Sequence, residues 1–369
     1  MRIAIVVGSH PLERMGGAEY QALLLAEGLA GRGHSVTYLA ADANSDASFT
    51  ERGVRFCKVS GSEVVGRSAN EKLVTEELVS GKYDICYIRY FNRIALATEV
   101  CRSVQVPLVT MTCSGIEATP FIYRPSLGYF VHNLQEAIAH SQSFMAIHSS
   151  AAHVCISRCL KASVQRWHPS KAIQVVYNGV PVPMDSDLQP KSGKRIIWVN
   201  NIKRLKRPEL FIKLAQQLPE YEFVMIGRMA EGSYGKYIEA LLQSAPNNLI
   251  YFGPLSFDAT NAQIGQSDLL LYTSEPVEGF GNSFIQAWLR NVPTVSLQFD
   301  PDGIIEGEGL GRCSMSFEQM VEDVTEYMRS DAIRVAAGHR AREYAMRCHS
   351  AERMITDYEH LFKSIVGGK

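Results

Sequence analysis

The chain has 369 residues, of which 46% are hydrophobic and 20% charged, proportions typical of a globular protein with two domains. Its 37 basic and 38 acidic residues give a formal charge of −1, which excludes the global basic field expected of a nucleic-acid-binding protein. The apolar start over residues 3–7 is far too short for a signal peptide, and no run of about 18 uninterrupted apolar residues predicts a membrane span.

Cysteine occurs at positions 57, 86, 101, 113, 155, 159, 313 and 348. No Cys-x-x-Cys pair is present and several cysteines lie in apolar, strand-like runs, which indicates reduced, buried thiols of a cytoplasmic protein. Cys155 and Cys159 with His153, or Cys348 with His349, could supply metal ligands, but neither group completes a four-ligand spacing. We therefore predict no metal site.

In the first half of the chain, strand and helix patterns alternate. Residues 2–7 predict a buried strand, and a loop containing Gly and Pro separates it from a helix predicted from about residue 18 to 32. Further strands are predicted over residues 35–39, 84–88, 107–111, 154–157 and 174–177. This alternation predicts a parallel sheet covered by helices on both faces.

The first loop contains Gly16 and Gly17 directly before the predicted helix. Glycines at this position allow main-chain amides to approach a ligand without interference from side chains. The pattern is not G-x-G-x-x-G, so a dinucleotide cofactor is not indicated. A Gly-Gly pair can also serve only to turn the chain, and this simpler interpretation stays open.

Residues 181–194 are dense in Pro, Ser, Asp and Gly, which predicts a linker between two domains. After it the alternation restarts, with strands predicted near residues 195–199, 222–226, 249–252, 268–272 and 293–297. A second Rossmann-like domain is therefore predicted. From about residue 331 to 366 the spacing is helical, without a strand signal.

A basic loop lies between the predicted strand that ends at Val199 and the helix predicted to begin at Pro208. Its four cations within five residues are Lys203, Arg204, Lys206 and Arg207. These charges repel one another without an anion, and amide dipoles at the start of the helix favour negative charge nearby. The loop could be a solvated basic surface. Its position at the carboxyl end of a strand favours anion binding.

The segment 278–288, EGFGNSFIQAW, combines a carboxylate, a glycine-framed turn and the start of a helix. It follows a short apolar run, so it lies at the carboxyl end of a predicted strand, where open α/β sheets bind ligands. Gly279 and Gly281 allow close approach of the backbone, and the free amides from Asn282 onward suit a phosphate. Gln286 lies about one turn deeper, and its amide can project toward the same ligand.

This segment resembles the pattern E-G-F-G-x-x-x-x-E, followed by A-x-x-x-G-x-P-V, of the retaining glycosyltransferases of the GT-B fold, in particular glycosyltransferase family 4 (glycosyl transferases group 1). The chain departs from that pattern at Gln286. The loop at Gly16 and Gly17 is similar to the family's G-G-x-E loop, and the basic loop to its G-R-L-x-x-x-K-G pattern. Lys206 keeps the lysine of the second pattern, whereas Asn201 stands in place of its arginine.

The resemblance implies the GT-B fold, an α/β architecture with two Rossmann-like domains facing across a cleft and C-terminal helices that cross back to the first domain. On this basis residues 1–180 form an acceptor-side domain and residues 181–194 a linker. Residues 195–345 form the donor-binding domain, and residues 346–369 a helix that returns to the first domain.

The resemblance also implies the roles of the site residues. Glu278 would meet hydroxyls of the donor sugar and Gln286 the ribose, while Lys206 would bind the diphosphate; Glu278 and Lys206 are the two expected to act in catalysis. The donor-binding set is Gly16, Gly17, Asn201, Lys203, Lys206, Glu278, Gly279, Phe280, Gly281, Asn282 and Gln286. Either Lys203 or Arg204 could supply the charge missing at Asn201, and Lys203 is taken as the helper of Lys206.

Many family members carry a histidine after a middle strand of the first domain, whereas residues 108–115 here contain none. The acceptor side is therefore expected to use Thr112, Ser114 or their amides, with His10 as a further candidate. The aromatic run 121–130 could pack at the wall of the cleft or touch a lipid-linked acceptor or a membrane surface.

The implied function is transfer of a sugar from a nucleotide-sugar donor to a glycan, glycolipid or other glycoconjugate acceptor, in polysaccharide or glycoconjugate biosynthesis. We expect retention of configuration, no metal, no cofactor and no nucleic-acid partner, in a cytoplasmic protein that could touch the inner face of the membrane. A GT-B-like epimerase or phosphorylase, or a non-catalytic nucleotide-sugar-binding protein, stays open as an alternative. A periplasmic sugar receptor is disfavoured because no export signal is present.

Overall fold

A computed structural model describes residues 1–8, 16–43, 47–60, 75–89, 94–115, 117 and 130–368. The chain contacts divide it into two compact units, each organised around its own sheet. Unit 1 comprises Met1–Gly179 together with Ala351–Lys369, and unit 2 comprises Val180–Ser350. The two-domain α/β architecture expected from the alternating pattern is thereby confirmed.

The described residues of unit 1 form an eight-stranded sheet. Its strands are β1 (Arg2–Val7), β2 (Ser35–Ala43), β3 (Ala47–Glu51), β4 (Val54–Ser60), β5 (Ile85–Arg89), β6 (Leu108–Thr112), β7 (Ala152–Cys155) and β8 (Ile173–Val175). The strand order is β3-β4-β2-β1-β5-β6-β7-β8, and only the β3 edge pairing is antiparallel. The helices are α1 (Gly17–Gly31), α2 (Ile94–Ser103), α3 (Phe130–Ser149) and α4 (Arg158–Trp167), and residues 75–80 are also helical.

Unit 2 has a six-stranded parallel sheet. Its strands are β9 (Arg195–Val199), β10 (Glu222–Ile226), β11 (Leu249–Tyr251), β12 (Leu269–Tyr272), β13 (Thr294–Ser296) and β14 (Gly311–Cys313). Its helices are α5 (Pro208–Gln217), α6 (Ser233–Gln243), α7 (Phe257–Gly265), α8 (Asn282–Trp288), α9 (Ile304–Gly307), α10 (Phe317–Arg329) and α11 (Asp331–Cys348). The core contains the buried side chains of Trp198, Phe211, Phe223, Leu269 and Leu271.

The strand order of unit 2 is β11-β10-β9-β12-β13-β14. From β9 the sheet grows in sequence order to one side and then resumes on the other side with β12, so the order reverses between these two neighbouring strands. Open parallel sheets bind ligands at the carboxyl ends of the strands beside such a reversal. The loops that follow β9 and β12 therefore occupy the favoured position for a ligand in this unit.

The expected linker lies within unit 2 and is fixed to its sheet. The buried carboxylate of Asp268 accepts hydrogen bonds from the hydroxyl of Ser192 (3.2 Å) and from the amides of Gly193 and Lys194 (2.9 Å each). These contacts hold the end of the linker against the start of β12.

The last helix, α12 (Ala351–Gly367), belongs to unit 1, as the expected return of the chain to the first domain requires. The returning segment begins at Ala351, because α11 continues to Cys348 within unit 2. Arg32 at the end of α1 donates to Glu359 (2.7 Å) and to Thr356 (2.8 Å), which fastens α12 to unit 1.

Candidate functional site

The basic loop after β9 forms a tight turn that ends at the start of α5. Arg204–Lys206 make one turn of 3-10 helix, and Pro208 is the first residue of α5, as predicted. Arg207 joins the two with φ +50 and ψ +50, a left-handed conformation that costs a residue with a side chain roughly 1–2 kcal/mol. Its guanidinium donates to the Gln298 side chain at 3.1 Å. The backbone next to Lys206 is thus strained and held from outside the turn.

Lys206 and Glu278, the two residues expected to act in catalysis, are in direct contact. Lys206 Nζ lies 2.7 Å from Glu278 Oε2, and the two side chains keep exposed fractions of 14% and 16%. The ammonium is also 3.5 Å from the Tyr272 hydroxyl. Burial lowers the pKa of Lys206, while the Glu278 carboxylate opposes this shift and the neighbouring Lys203 adds to it. The pair is therefore shielded yet still open to solvent, as a binding site for an anion requires.

The other cations of the loop differ in their surroundings. The Arg204 guanidinium lies 5.2 Å from the ring centre of Tyr234, whose hydroxyl donates to Glu209 at 2.7 Å. Lys203 and Asn201 are exposed. Because Arg204 is already placed over an aromatic ring, Lys203 is the better candidate for the helper charge.

The glycine-framed turn and the helix start have the geometry expected from the sequence. Helix α8 begins at Asn282, directly after Gly281. A Cβ at Gly281 would lie 2.9 Å from the Tyr272 hydroxyl oxygen, so the close packing of this turn requires glycine. Gly279 and Phe280 are buried, and the Phe280 ring meets Trp288 edge to face at 5.9 Å between centres. The turn is thus anchored from behind by the aromatic core.

Gln286 differs from its expected orientation. Its side chain is buried, and its amide nitrogen donates to the Asn261 side chain of α7 at 2.9 Å. This bond commits the amide nitrogen to the packing of α7 against α8. The contact to a donor ribose stays a prediction.

The glycine loop of unit 1 is described from Gly16 onward. Gly16 precedes α1, and Gly17 is its first residue. Residues 9–15, which include His10, and most of the aromatic run 121–130 lie outside the described residues. Thr112 is buried, and its hydroxyl is hydrogen-bonded to the ring of His153 at 3.1 Å, so Thr112 is a weaker candidate for acceptor binding than the sequence indicated.

Two polar groups at the carboxyl edge of this sheet were missed by the sequence analysis. Arg89, at the end of β5, is buried and donates to Asn178 at 2.8 Å. Glu117 accepts a hydrogen bond from the Cys113 amide at 2.7 Å, and burial raises the pKa of this carboxyl. Arg89 could have been found from the sequence, because it is a charged residue directly after the apolar run 85–88. The strand that it ends, β5, lies beside β1 in the sheet.

The cysteines and histidines weighed as metal ligands have other surroundings. All eight cysteines are free thiols, with Cys155 buried and Cys159 exposed. His153 is bonded through both ring nitrogens, to Thr110 and to Thr112, and burial lowers its pKa to about 3. Within the described ranges, three or more His, Cys, Asp or Glu side chains nowhere converge as metal ligands. The same ranges contain no helix with both the length and the apolar character needed to cross a membrane.

Comparisons with known proteins agree with this fold. The family model described as Glycosyltransferase Family 4 matches residues 15–182, and the model described as Glycosyl transferases group 1 matches residues 184–344. The chain therefore belongs to the glycosyltransferases of the GT-B fold. Its first half carries the Family 4 domain, and its second half, with Lys206 and Glu278, the group 1 domain.

Solved structures of the same fold cover the whole chain. Sucrose-phosphate synthase from Thermosynechococcus elongatus superimposes with a TM-score of 0.79 at 14% identity, covering 100% of both chains. HepE from Anabaena, solved in complex with UDP and glucose, gives a TM-score of 0.73 at 15% identity, covering 99% of this chain and 100% of the other. At these identities the likeness concerns the fold.

Two curated relatives are similar over part of their length. An alpha-galactosylglucosyldiacylglycerol synthase of Streptococcus pneumoniae is 25% identical over 173 residues, which cover 46% of this chain and 44% of the relative. An uncharacterized glycosyltransferase of Methanocaldococcus jannaschii is 23% identical over 229 residues, covering 58% of each chain. The matches thus span about half the length of these relatives.

Proposed function

We propose that the protein transfers a sugar from a nucleotide-sugar donor to a glycan, glycolipid or other glycoconjugate acceptor. The observation that carries this proposal is the contact of 2.7 Å between Lys206 and Glu278 at the strand reversal of unit 2. A cation that burial destabilises favours an anionic ligand, and the adjoining carboxylate suits the hydroxyls of a sugar.

In the proposed site, Lys206 and the amides at Gly281 and Asn282 bind the donor diphosphate, with Lys203 as helper. They stabilise the negative charge that grows on the diphosphate as its bond to the anomeric carbon breaks, which is electrostatic preorganisation. Glu278 orients the hydroxyls of the sugar. Gly279 and Phe280 shape the turn that carries these groups, and Gln286 is retained as the candidate for the ribose.

We further propose retention of configuration, on the basis of the family resemblance. The acceptor oxygen forms its bond to the anomeric carbon on the face from which the diphosphate leaves, and the departing phosphate takes the acceptor proton. The donor diphosphate is stabilised here by protein groups, without an assigned metal or cofactor. The acceptor domain in this proposal is unit 1, with Gly16 and Gly17 contributing to donor binding.

The relatives support a role in polysaccharide or glycoconjugate assembly. One is a synthase of a glycosylated diacylglycerol, and one structural neighbour was solved with UDP and glucose. A cytoplasmic location with peripheral contact to a membrane would give access to a lipid-linked acceptor, and both remain part of the proposal.

The test is a screen of thermal stability against UDP-, GDP- and ADP-sugars, because a ligand that binds only the folded state raises the unfolding temperature. We expect one nucleotide class to stabilise the protein, with or without EDTA. The stabilising donor is then incubated with candidate acceptors, and the anomeric configuration of the product is read by NMR. Stabilisation by none of the donors would contradict the proposal, and turnover without an acceptor would favour an epimerase or phosphorylase.

A further inference from the structure

Thr273 follows β12 directly, and its buried hydroxyl makes two hydrogen bonds. It donates to the main-chain carbonyl of Lys206 at 2.6 Å and accepts from the indole Nε1 of Trp198 at 2.9 Å. Trp198 lies on β9 and is fully buried. A single side chain therefore connects the two strands at the reversal of the sheet with the turn that carries Lys206.

A second contact strengthens the same connection. The amide of Glu275 donates to the carbonyl of Leu205 at 2.9 Å. Two successive carbonyls of the basic turn, those of Leu205 and Lys206, are thus held by the loop that leads to Glu278. The next residue, Arg207, has the strained left-handed conformation described above, which persists only where surrounding contacts determine it.

We propose that Thr273 is a positioning residue of the donor site. It fixes the backbone of Lys206 so that the ammonium meets Glu278 and, by extension, the donor diphosphate. This inference rests on the proposed function for the identity of the ligand. A lysine side chain has many rotamers, so its charge is placed accurately only if the backbone and the ion-pair partner share one rigid frame. Thr273 supplies the connection between the two.

The structure offers a matched control for a purely structural role. Thr294 on β13 is also buried, and its hydroxyl accepts from the indole Nε1 of Trp288 at 3.0 Å. Replacing either threonine by valine keeps its shape and removes a hydroxyl bonded to a buried tryptophan. Thr273→Val, which loses two hydrogen bonds, should lower the unfolding temperature at least as much as Thr294→Val, and only Thr273→Val should disturb Lys206.

The first measurement is calorimetric titration with UDP, GDP and ADP. We expect Thr273→Val to weaken binding of the preferred nucleotide about 10-fold, because a small misplacement of a binding group is costly. Thr273→Ser should restore the affinity to near wild type, and Thr294→Val should leave it unchanged. In the Lys206→Ala background, Thr273→Val should cause no further loss, since the two changes remove one interaction. Wild-type affinity of Thr273→Val, or full additivity with Lys206→Ala, would overturn the proposal.

The second measurement needs no ligand. Acylation of Lys206 by acetic anhydride, followed by mass spectrometry, reports how firmly the amine is held. The rate should rise several-fold in Thr273→Val and stay at the wild-type level in Thr273→Ser and Thr294→Val. An unchanged rate in Thr273→Val would overturn the positioning role. If the wild type binds none of the three nucleotides, the proposed function fails, and the acylation rates still decide whether Thr273 positions Lys206.

Discussion

Two carboxylates of the molecule have different surroundings. In unit 1, Glu359 contacts three nitrogen-bearing side chains, which together are called the Glu359 cluster. In unit 2, Glu278 forms an ion pair with Lys206. Arg32 lies 2.7 Å from one oxygen of Glu359, while His34 at 2.9 Å and Lys363 at 2.6 Å contact the other. Both oxygens are thus bonded within the protein. Hydrogen bonds from Lys363, His34 and Arg32 lower the pKa of Glu359 to about 2.

The difference separates a cluster that fastens the fold from one that can take a ligand. An ammonium has three N–H donors, and Lys206 directs one to Glu278 and a long one, 3.5 Å, to the Tyr272 hydroxyl. Burial lowers the pKa of Lys206, so a further anion would stabilise its charged form. In the Glu359 cluster, Arg32, His34 and Lys363 surround the carboxylate, and an added anion would compete with a bond already made.

The largest expected effect is the loss of nucleotide binding when Lys206, the cation paired with Glu278, is removed. Lys206→Ala should weaken binding of the preferred nucleoside diphosphate by about 1.5 to 3 kcal/mol, the usual worth of a hydrogen bond to a charged group. Calorimetric titration measures the change. The protein should still fold, since Lys206 lies in a loop and both its side chain and that of Glu278 remain partly exposed.

Lys191→Ala is the matched control for this prediction. Lys191 is another lysine of unit 2 whose pKa burial lowers, here to about 8, but its ammonium bonds to the Gly265 carbonyl at the opposite end of β12. We expect this variant to bind the nucleotide like the wild type. Equal losses in both variants would mean that general destabilisation, and not the site, accounts for the effect.

The pair of Lys206 and Glu278 could be predicted from the sequence better than the buried contacts that hold it in place. Lys206 and Glu278 follow strands that a short apolar run predicts, and carboxyl ends of neighbouring parallel strands meet at one edge. The contacts of Thr273 with Trp198, and of Gln286 with Asn261, join residues distant in the chain, so no local pattern indicates them. Buried side-chain bonds depend on tertiary packing, which spacing alone does not determine.

The same limit applies to the fold. The alternation of apolar runs predicted most of the parallel strands, because a buried strand needs a continuous apolar sequence. Strands β3, β4 and β14 were missed. The edge strand β3 has the mixed sequence ASFTE, and its antiparallel pairing with β4 depends on the neighbouring strand β2.

A smaller effect, on stability alone, is expected from a substitution in the Glu359 cluster of unit 1. Glu359→Gln should lower the free energy of unfolding by about 1 kcal/mol, because the network is partly exposed. The folded-state pKa of Glu359 lies below its ordinary value of 4.5, so its contribution is present above about pH 4.5 and is lost as the pH falls toward 2. Thermal unfolding of both proteins should therefore differ at neutral pH and converge in acid.

Asp357→Asn serves as the control on the same helix. Asp357 pairs with Arg353 at 3.0 Å on the exposed face of α12, and an exposed pair of this kind contributes little. Nucleotide affinity should be unchanged in both variants. A loss of nucleotide binding in Glu359→Gln would mean that the Glu359 cluster also affects ligand binding, and would contradict its assignment to the stability of the fold alone.

The smallest expected effect concerns pH and tests whether the charge of Lys206 itself binds the ligand. The groups described around its ammonium are Glu278, Tyr272 and Lys203. Burial lowers the pKa of Lys206 below its ordinary value of 10.5, so the cation, and with it nucleotide affinity, should begin to fall at a lower pH than for an exposed lysine. Lys206→Arg keeps its charge throughout and should bind with a flat pH profile.

Because the like charge of Lys203 lowers the pKa of Lys206 further, Lys203→Ala should move the fall in affinity to higher pH while weakening binding at neutral pH. Calorimetry from about pH 7 to about pH 9.5 follows all three proteins, and a decline of the same shape in Lys206→Arg would assign the titration to another group.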